Sequence, residues 1–160
     1  MMRVSKIYLE TTLFNFYFAD DAPDKKQDTL KLFEEIRQGK YEPYASDDVV
    51  RELLDTPDSD KRTKMANLVN DYGIVLLPSS AEAETLADVY VNEGVIPLKY
   101  RTDGVHIALT AVFNLDFIVS YNFKHIVKRK TVEMTELINY REGYKKVGIY
   151  SPAEVIEDDE

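Results

Sequence analysis

The sequence predicts an α/β domain with a central, mainly parallel sheet and helices on both faces, and three observations lead there. Short apolar, strand-sized runs alternate with helix-length amphipathic stretches along the 160 residues, as in strands joined by crossover helices. No repeat or Gly/Ser linker interrupts the alternation, so residues 1–156 read as one domain and 157–160 as an acidic tail. The apolar share of 44% and charged share of 31% belong to a globule with a core, which excludes disordered and collagenous chains.

Val4–Leu9, rich in β-branched and aromatic residues, reads as the first strand, and a helical segment follows over about residues 12–19. Asp24 opens a longer helix through Arg37, with Leu30, Phe33 and Ile36 on one face and Gly39 just past its end. Tyr44 and Ala45 form a short extended piece, after which Ser46 caps a helix over Asp47–Leu54 that Pro57 ends. Asp58 caps the next helix, whose Met65, Leu68, Val69 and Tyr72 form an apolar stripe before Gly73. Ile74–Leu77 is a bare apolar run, as expected of a strand covered on both faces. Ser80 starts the helix Ala81–Asn92, which Gly94 ends. Thr102 starts another, whose apolar residues from Val105 to Phe113 run nearly all round it and make it the most buried helix. Phe117–Ser120 is a strand, residues 132–142 a helix and Lys146–Tyr150 a last strand, and Pro152 suits a first helical position.

Composition removes several function classes. With 20 basic against 29 acidic residues, a net charge of −9 does not collect nucleic acid by bulk attraction, so an anionic substrate must be met by local patches. Such patches are Lys124, Lys128, Arg129 and Lys130, and Lys145 with Lys146. The absence of cysteine excludes disulfides, thiolate zinc sites and thiol catalysis. No run reaches the ~18 apolar residues of a membrane span, and none resembles a secretory signal, so the cytoplasm is expected. Dinucleotide, P-loop and zincin motifs are missing.

In parallel sheets ligands bind outside the carboxyl ends of the strands, which directs attention to a few polar residues. Glu10 follows the first strand; it is either a first-turn glutamate favoured by the helix dipole, with Thr12 as the cap, or a ligand. Glu52 lies on the helix that Ser46 begins, as a solvated charge or a group reaching inward. Asp103 sits in the first turn of the most apolar helix, as a capping carboxylate or a ligand. Asn122 follows Ser120 at the end of a strand, as a turn residue or a site residue. Asp116 precedes that strand and belongs to the opposite edge. Together the first four describe one place. Three converging carboxylates repel unless a cation joins them, and carboxylate oxygens suit Mg²⁺ or Mn²⁺. A metal with open water positions suits phosphodiester hydrolysis.

Four segments, in order, resemble the motifs of PIN-domain proteins, most closely single-domain members of the VapC toxin type. They are Tyr8–Thr12; Ser46, Val49 and Glu52; Pro97, Tyr100, Asp103, Gly104 and His106–Ala108; and Ser120–Ile126. The likeness continues through Val155 and so covers nearly the whole chain. The resemblance implies a three-layer α/β/α sandwich and a metal-dependent endoribonuclease that leaves a 5′-phosphate and a 3′-hydroxyl. It further implies a homodimer and the toxin role in a toxin–antitoxin pair, with an antitoxin protein as inhibitor. By position, Glu10, Glu52 and Asp103 form the Mg²⁺ or Mn²⁺ site, Thr12 and Ser120 support it, and Asn122 falls where many members carry a fourth aspartate.

Two departures keep a second reading open, a weakened PIN-like module that holds RNA or a partner protein without cutting. Glu10 stands where the family has aspartate, and Asn122 brings a neutral carbonyl oxygen as a further candidate ligand. Gly104, where alanine is common, costs its helix up to ~1 kcal/mol. Lys124, Lys128, Arg129 and Lys130 either hold flanking RNA phosphates or form a solvated helix end. His106 and His125 read as packing or supporting histidines, and Phe123 as a core residue. A phosphoacceptor receiver domain needs paired acids directly after strand one, and Asp20 and Asp21 come about ten residues too late.

Overall fold

The computed structural model describes residues 3–158. Its strands are β1 (Ser5–Leu9), β2 (Tyr41–Ser46), β3 (Val75–Leu77), β4 (Phe117–Val119) and β5 (Gly148–Tyr150). All neighbours pair in parallel, in the order β3-β2-β1-β4-β5. The helices are α1 (Thr11–Phe16), α2 (Pro23–Arg37), α3 (Asp47–Leu54), α4 (Ser59–Asp71), α5 (Ala81–Asn92), α6 (Arg101–Val112), α7 (Arg129–Arg141) and α8 (Pro152–Val155). A 3₁₀ turn over Leu98–Tyr100 leads into α6.

The strand order and the right-handedness of parallel crossovers together produce the layers. From β1 the chain steps outward to β2 and β3 through α1–α4, which puts these helices on one face. It then returns across the sheet to β4 and on to β5 through α5, α6 and α7, which run the opposite way and so cover the other face. The packing agrees: α1 touches α2, α3 and α4, whereas α5 touches α6 and α7. The fold is therefore a three-layer α/β/α sandwich. The strand order reverses between β1 and β4, and the crevice at their carboxyl ends is where such sheets bind ligands.

Local chemistry sets most helix starts. Ser46 Oγ accepts the Val49 N–H at 3.2 Å, Ser80 Oγ the Ala83 N–H at 3.1 Å, and Asp58 the N–H groups of Asp60 and Lys61. Ser151 and Glu154 form a reciprocal capping box on α8. Every residue of α6 from Gly104 to Ala111 is buried, so it is the central helix expected. A Cβ on Gly104 would stand 3.3 Å from Ile96 Cδ1 and 3.5 Å from the Tyr90 ring. Only the Ile96 contact is tight, and it is with the end of a flexible side chain.

Several expectations are corrected. β3 is an edge strand, and with Val75 48% and Leu76 39% exposed it is not covered on both faces, because the helix layers do not reach fully over the sheet's edge. On α2 Leu32 faces the core and Leu30 does not, and the helix begins at Pro23, whose fixed φ suits the first helical position. Glu10 caps α1, not Thr12. Thr102 lies inside α6, which starts at Arg101 without a side-chain cap. The extended piece at Tyr44 and Ala45 is a full strand whose pairing with β1 runs from Tyr41, and α7 starts three residues earlier than expected. Phe123 is 49% exposed, outside the core, because it sits on a loop that turns away from the sheet. Of the tail, Glu157 is docked: its N–H donates to Glu35 and its carboxylate pairs with Lys40 at 2.9 Å. Met1, Met2, Asp159 and Glu160 lie outside the described residues. No helix among the described residues is long and apolar enough to cross a membrane.

Candidate functional site

The reversal point is built from the ends of β1 and β4. The Glu10 N–H bonds the Val119 carbonyl at 3.1 Å and so ties the two strand ends together. The Glu10 side chain is buried, and its Oε1 accepts three bonds: from Thr12 N–H at 3.2 Å, Thr12 Oγ1 at 2.6 Å and Ser120 Oγ at 2.6 Å. Both hydroxyls are anchored in turn, since Thr12 Oγ1 accepts the Tyr121 N–H and Ser120 Oγ the Asn122 N–H, each at 2.9 Å. The supporting role expected of Thr12 and Ser120 is thus realised as a hydroxyl clamp on one carboxylate oxygen, with Oε2 outside these bonds.

Glu52 approaches from α3. Its Oε1 accepts Thr11 Oγ1 at 2.8 Å and meets His106 Nε2 at 2.5 Å. His106, fully buried on α6, bonds the Tyr8 hydroxyl through Nδ1 at 2.6 Å, and that hydroxyl meets Ser46 Oγ at 2.7 Å. A continuous polar chain, Glu52–His106–Tyr8–Ser46, therefore runs from the half-buried rim into the core. Sequence reasoning gave His106 only a packing or supporting role and passed over Tyr8 and Thr11. The available signals were spacings: His106 lies one helical turn from Asp103, and Tyr8 shares a strand face with Glu10.

Asp103, half-buried in the first turn of α6, is hydrogen-bonded by the side chain of Asn122. The Asn122 carbonyl Oδ1 accepts the His125 N–H at 2.9 Å. Asn122 thus serves Asp103 as a donor, and its carbonyl, expected as a candidate metal ligand, accepts one backbone N–H and keeps a second lone pair. Asp116 is confirmed at the far edge, held by Arg3, Lys145 and the Lys6 N–H.

Electrostatics place the three carboxylates around one imidazole. Glu52, Glu10 and Asp103 all act on His106. Burial pulls the His106 imidazole down, but the Glu52 hydrogen bond and the three negative charges outweigh it, and His106 ends above its ordinary value. Burial pushes Glu52 up, and the hydrogen bond and charge of His106, with Thr11, bring it below the usual carboxylate range. Glu10 and Asp103 are both raised, by burial above all. His106, Ser120 and Thr12 offset part of the rise in Glu10, and His106, Asn122 and His125 part of that in Asp103. Among the described residues no three His, Cys, Asp or Glu side chains lie close enough to hold a metal ion as they stand. Glu52 is turned to His106 and Thr11.

The basic residues lie on the loop after β4 and at the start of α7. Lys124 follows Asn122 on the loop, its Nζ 5.7 Å from the Tyr100 ring centre. Lys128, Arg129 and Lys130 are exposed at the start of α7, where Arg129 is paired with Glu133 at 2.8 Å. A broad groove of about 880 Å³ lies elsewhere, along α7 between Glu133 and Lys146, floored by Leu137 and Tyr140 and away from the carboxylates. No family model matches the chain. No curated protein matches it either.

Proposed function

We propose that this chain is a metal-dependent endoribonuclease of the PIN-domain type, which hydrolyses RNA phosphodiester bonds with Mg²⁺ or Mn²⁺. One observation carries the reading: Glu10, Glu52 and Asp103, remote in sequence, all lie within electrostatic reach of the buried His106 at the strand-order reversal. The likeness of the four motifs supports the same conclusion. In that family context the chain would be a toxin held by an antitoxin protein and would act as a homodimer.

The donor set fits a hard divalent cation. All three acids are oxygen donors, and both glutamates engage Oε1 in the bonds described and leave Oε2 outside them. The raised Glu10 and Asp103 are carboxylates in want of positive charge. Glu10, Asp103 and a Glu52 released from His106 would hold the ion. When bound, it supplies Lewis-acid chemistry: a more acidic water and neutralised phosphoryl charge. The protein's own groups do the rest. Thr12 and Ser120 fix the rotamer of Glu10, Asn122 orients Asp103, and Glu52, half-buried on α3, orients the attacking water. Before the ion binds, His106 holds Glu52 beside the other two acids through Nε2, backed by Tyr8 and Ser46.

The test is incubation of mixed RNA with the wild type and with Asp103→Asn, in Mn²⁺ and in EDTA. Cleavage is expected in Mn²⁺ alone, and Asp103→Asn lowers its rate about a hundredfold or more while circular dichroism stays unchanged. Cleavage that persists in EDTA or in Asp103→Asn overturns the proposal. The binding-module alternative draws on Glu52 being engaged by His106 and on the amide at Asn122; RNA bound in Mn²⁺ without being cut is its signature.

A further inference from the structure

We propose that Tyr100 and His125, flanked by Lys99 and Lys124, form a stacking subsite for an unpaired RNA base beside the carboxylate cluster; this rests on the nuclease reading and assigns residues to substrate binding there. Tyr100 ends the 3₁₀ turn before α6 and is 37% exposed. The His125 ring lies against it, 4.3 Å between centres and tilted by 29°, which fixes the tyrosine as a platform. Lys99 Nζ and Lys124 Nζ each stand 5.7 Å from the Tyr100 ring centre.

The platform adjoins the pocket through covalent and hydrogen-bonded links. Tyr100 is three residues before Asp103, and the His125 N–H holds the same Asn122 that bonds Asp103. A chain with net charge −9 repels a polyanion over most of its surface, so the two ammonium groups over the Tyr100 ring are where phosphates can be met. A cation resting on an exposed ring is weakly held; an incoming base gains more by stacking and frees both lysines for its flanking phosphates. A base inside a duplex has both faces covered and cannot use the platform. The geometry therefore selects a single strand.

The test is fluorescence anisotropy with a labelled, unstructured RNA 12-mer, single-stranded or annealed to its complement, in EDTA so that binding is read apart from cleavage. Tyr100→Ala is expected to bind the single strand about ten- to a hundredfold more weakly, whereas Tyr100→Phe, which keeps the ring, and Tyr140→Ala, on the distant face of α7, bind like the wild type. Duplex binds more weakly and ignores Tyr100→Ala. The proposal is overturned if the wild type binds no single strand, if Tyr100→Ala binds as tightly as wild type, if Tyr100→Phe loses as much as Tyr100→Ala, or if duplex binds equally well. Tyr100-dependent binding without cleavage in Mn²⁺ would sink the nuclease reading and leave the subsite standing; cleavage with Tyr100-independent binding would do the reverse.

Discussion

His106 is the residue on which the site turns. It carries no exposed surface, touches Glu52 on one side and Tyr8 on the other, and lies in the field of three acids. Because its folded value is raised above 6.5, the folded protein keeps a proton that the unfolded chain has already released. That contribution to stability is full below about pH 6.5 and is lost as pH rises through the folded value. Glu10 and Asp103, also raised, act in the same sense from the lower starting points of 4.5 and 3.8. Metal-free protein should thus melt at falling temperature as pH rises above about 6, and His106→Gln should flatten that slope. Equal slopes in the two proteins would show that the imidazole is not charged in the fold. Glu10, Asp103 and their position at strand and helix ends were readable from local pattern. The commitment of Glu52 to a histidine 54 residues away was not, since no spacing rule links α3 to α6.

Among the elements, two glycines make opposite demands. A Cβ on Gly148 would stand 2.6 Å from the Tyr150 ring and 2.9 Å from Phe117 Cβ, within a three-residue edge strand that has little else to hold it. Gly148→Ala should cost about 1–3 kcal/mol, measured by urea denaturation. Gly104→Ala gains up to ~1 kcal/mol of helix propensity against one 3.3 Å contact with the end of a flexible isoleucine, and should fall within about 1 kcal/mol of zero. A Gly104→Ala variant costlier than Gly148→Ala would contradict this account of the α5–α6 contact. Helix starts with capping side chains, at Ser46, Asp58 and Ser80, match the sequence to the residue. Starts without one, at Arg101 and Arg129, do not, because nothing local marks them.

For the molecule as a whole, the strand order is what turns scattered acids into a site. Reversal between β1 and β4 puts Glu10 and Ser120 in direct contact across 110 residues, and the crossovers bring α3 and α6 to the same end. If a hard cation binds there, it stabilises the folded state alone. Mn²⁺ should therefore raise the melting temperature of the wild type in EDTA-stripped buffer, and this rise should vanish in Glu10→Gln. A shift retained in Glu10→Gln would place the ion elsewhere.

Periodicity, capping residues and the order of apolar runs were enough to establish an α/β chain with parallel strands and to point to one edge of its sheet, because these properties depend on neighbours within a few positions. Which strand lies outermost, which way Phe123 faces, and which partner each buried polar group finds depend on contacts across 38 to 113 residues, such as Tyr8 with Ser46 and Arg3 with Asp116. Those contacts come into being only when the sheet assembles, since hydrogen-bond partners in the core are set by packing in space.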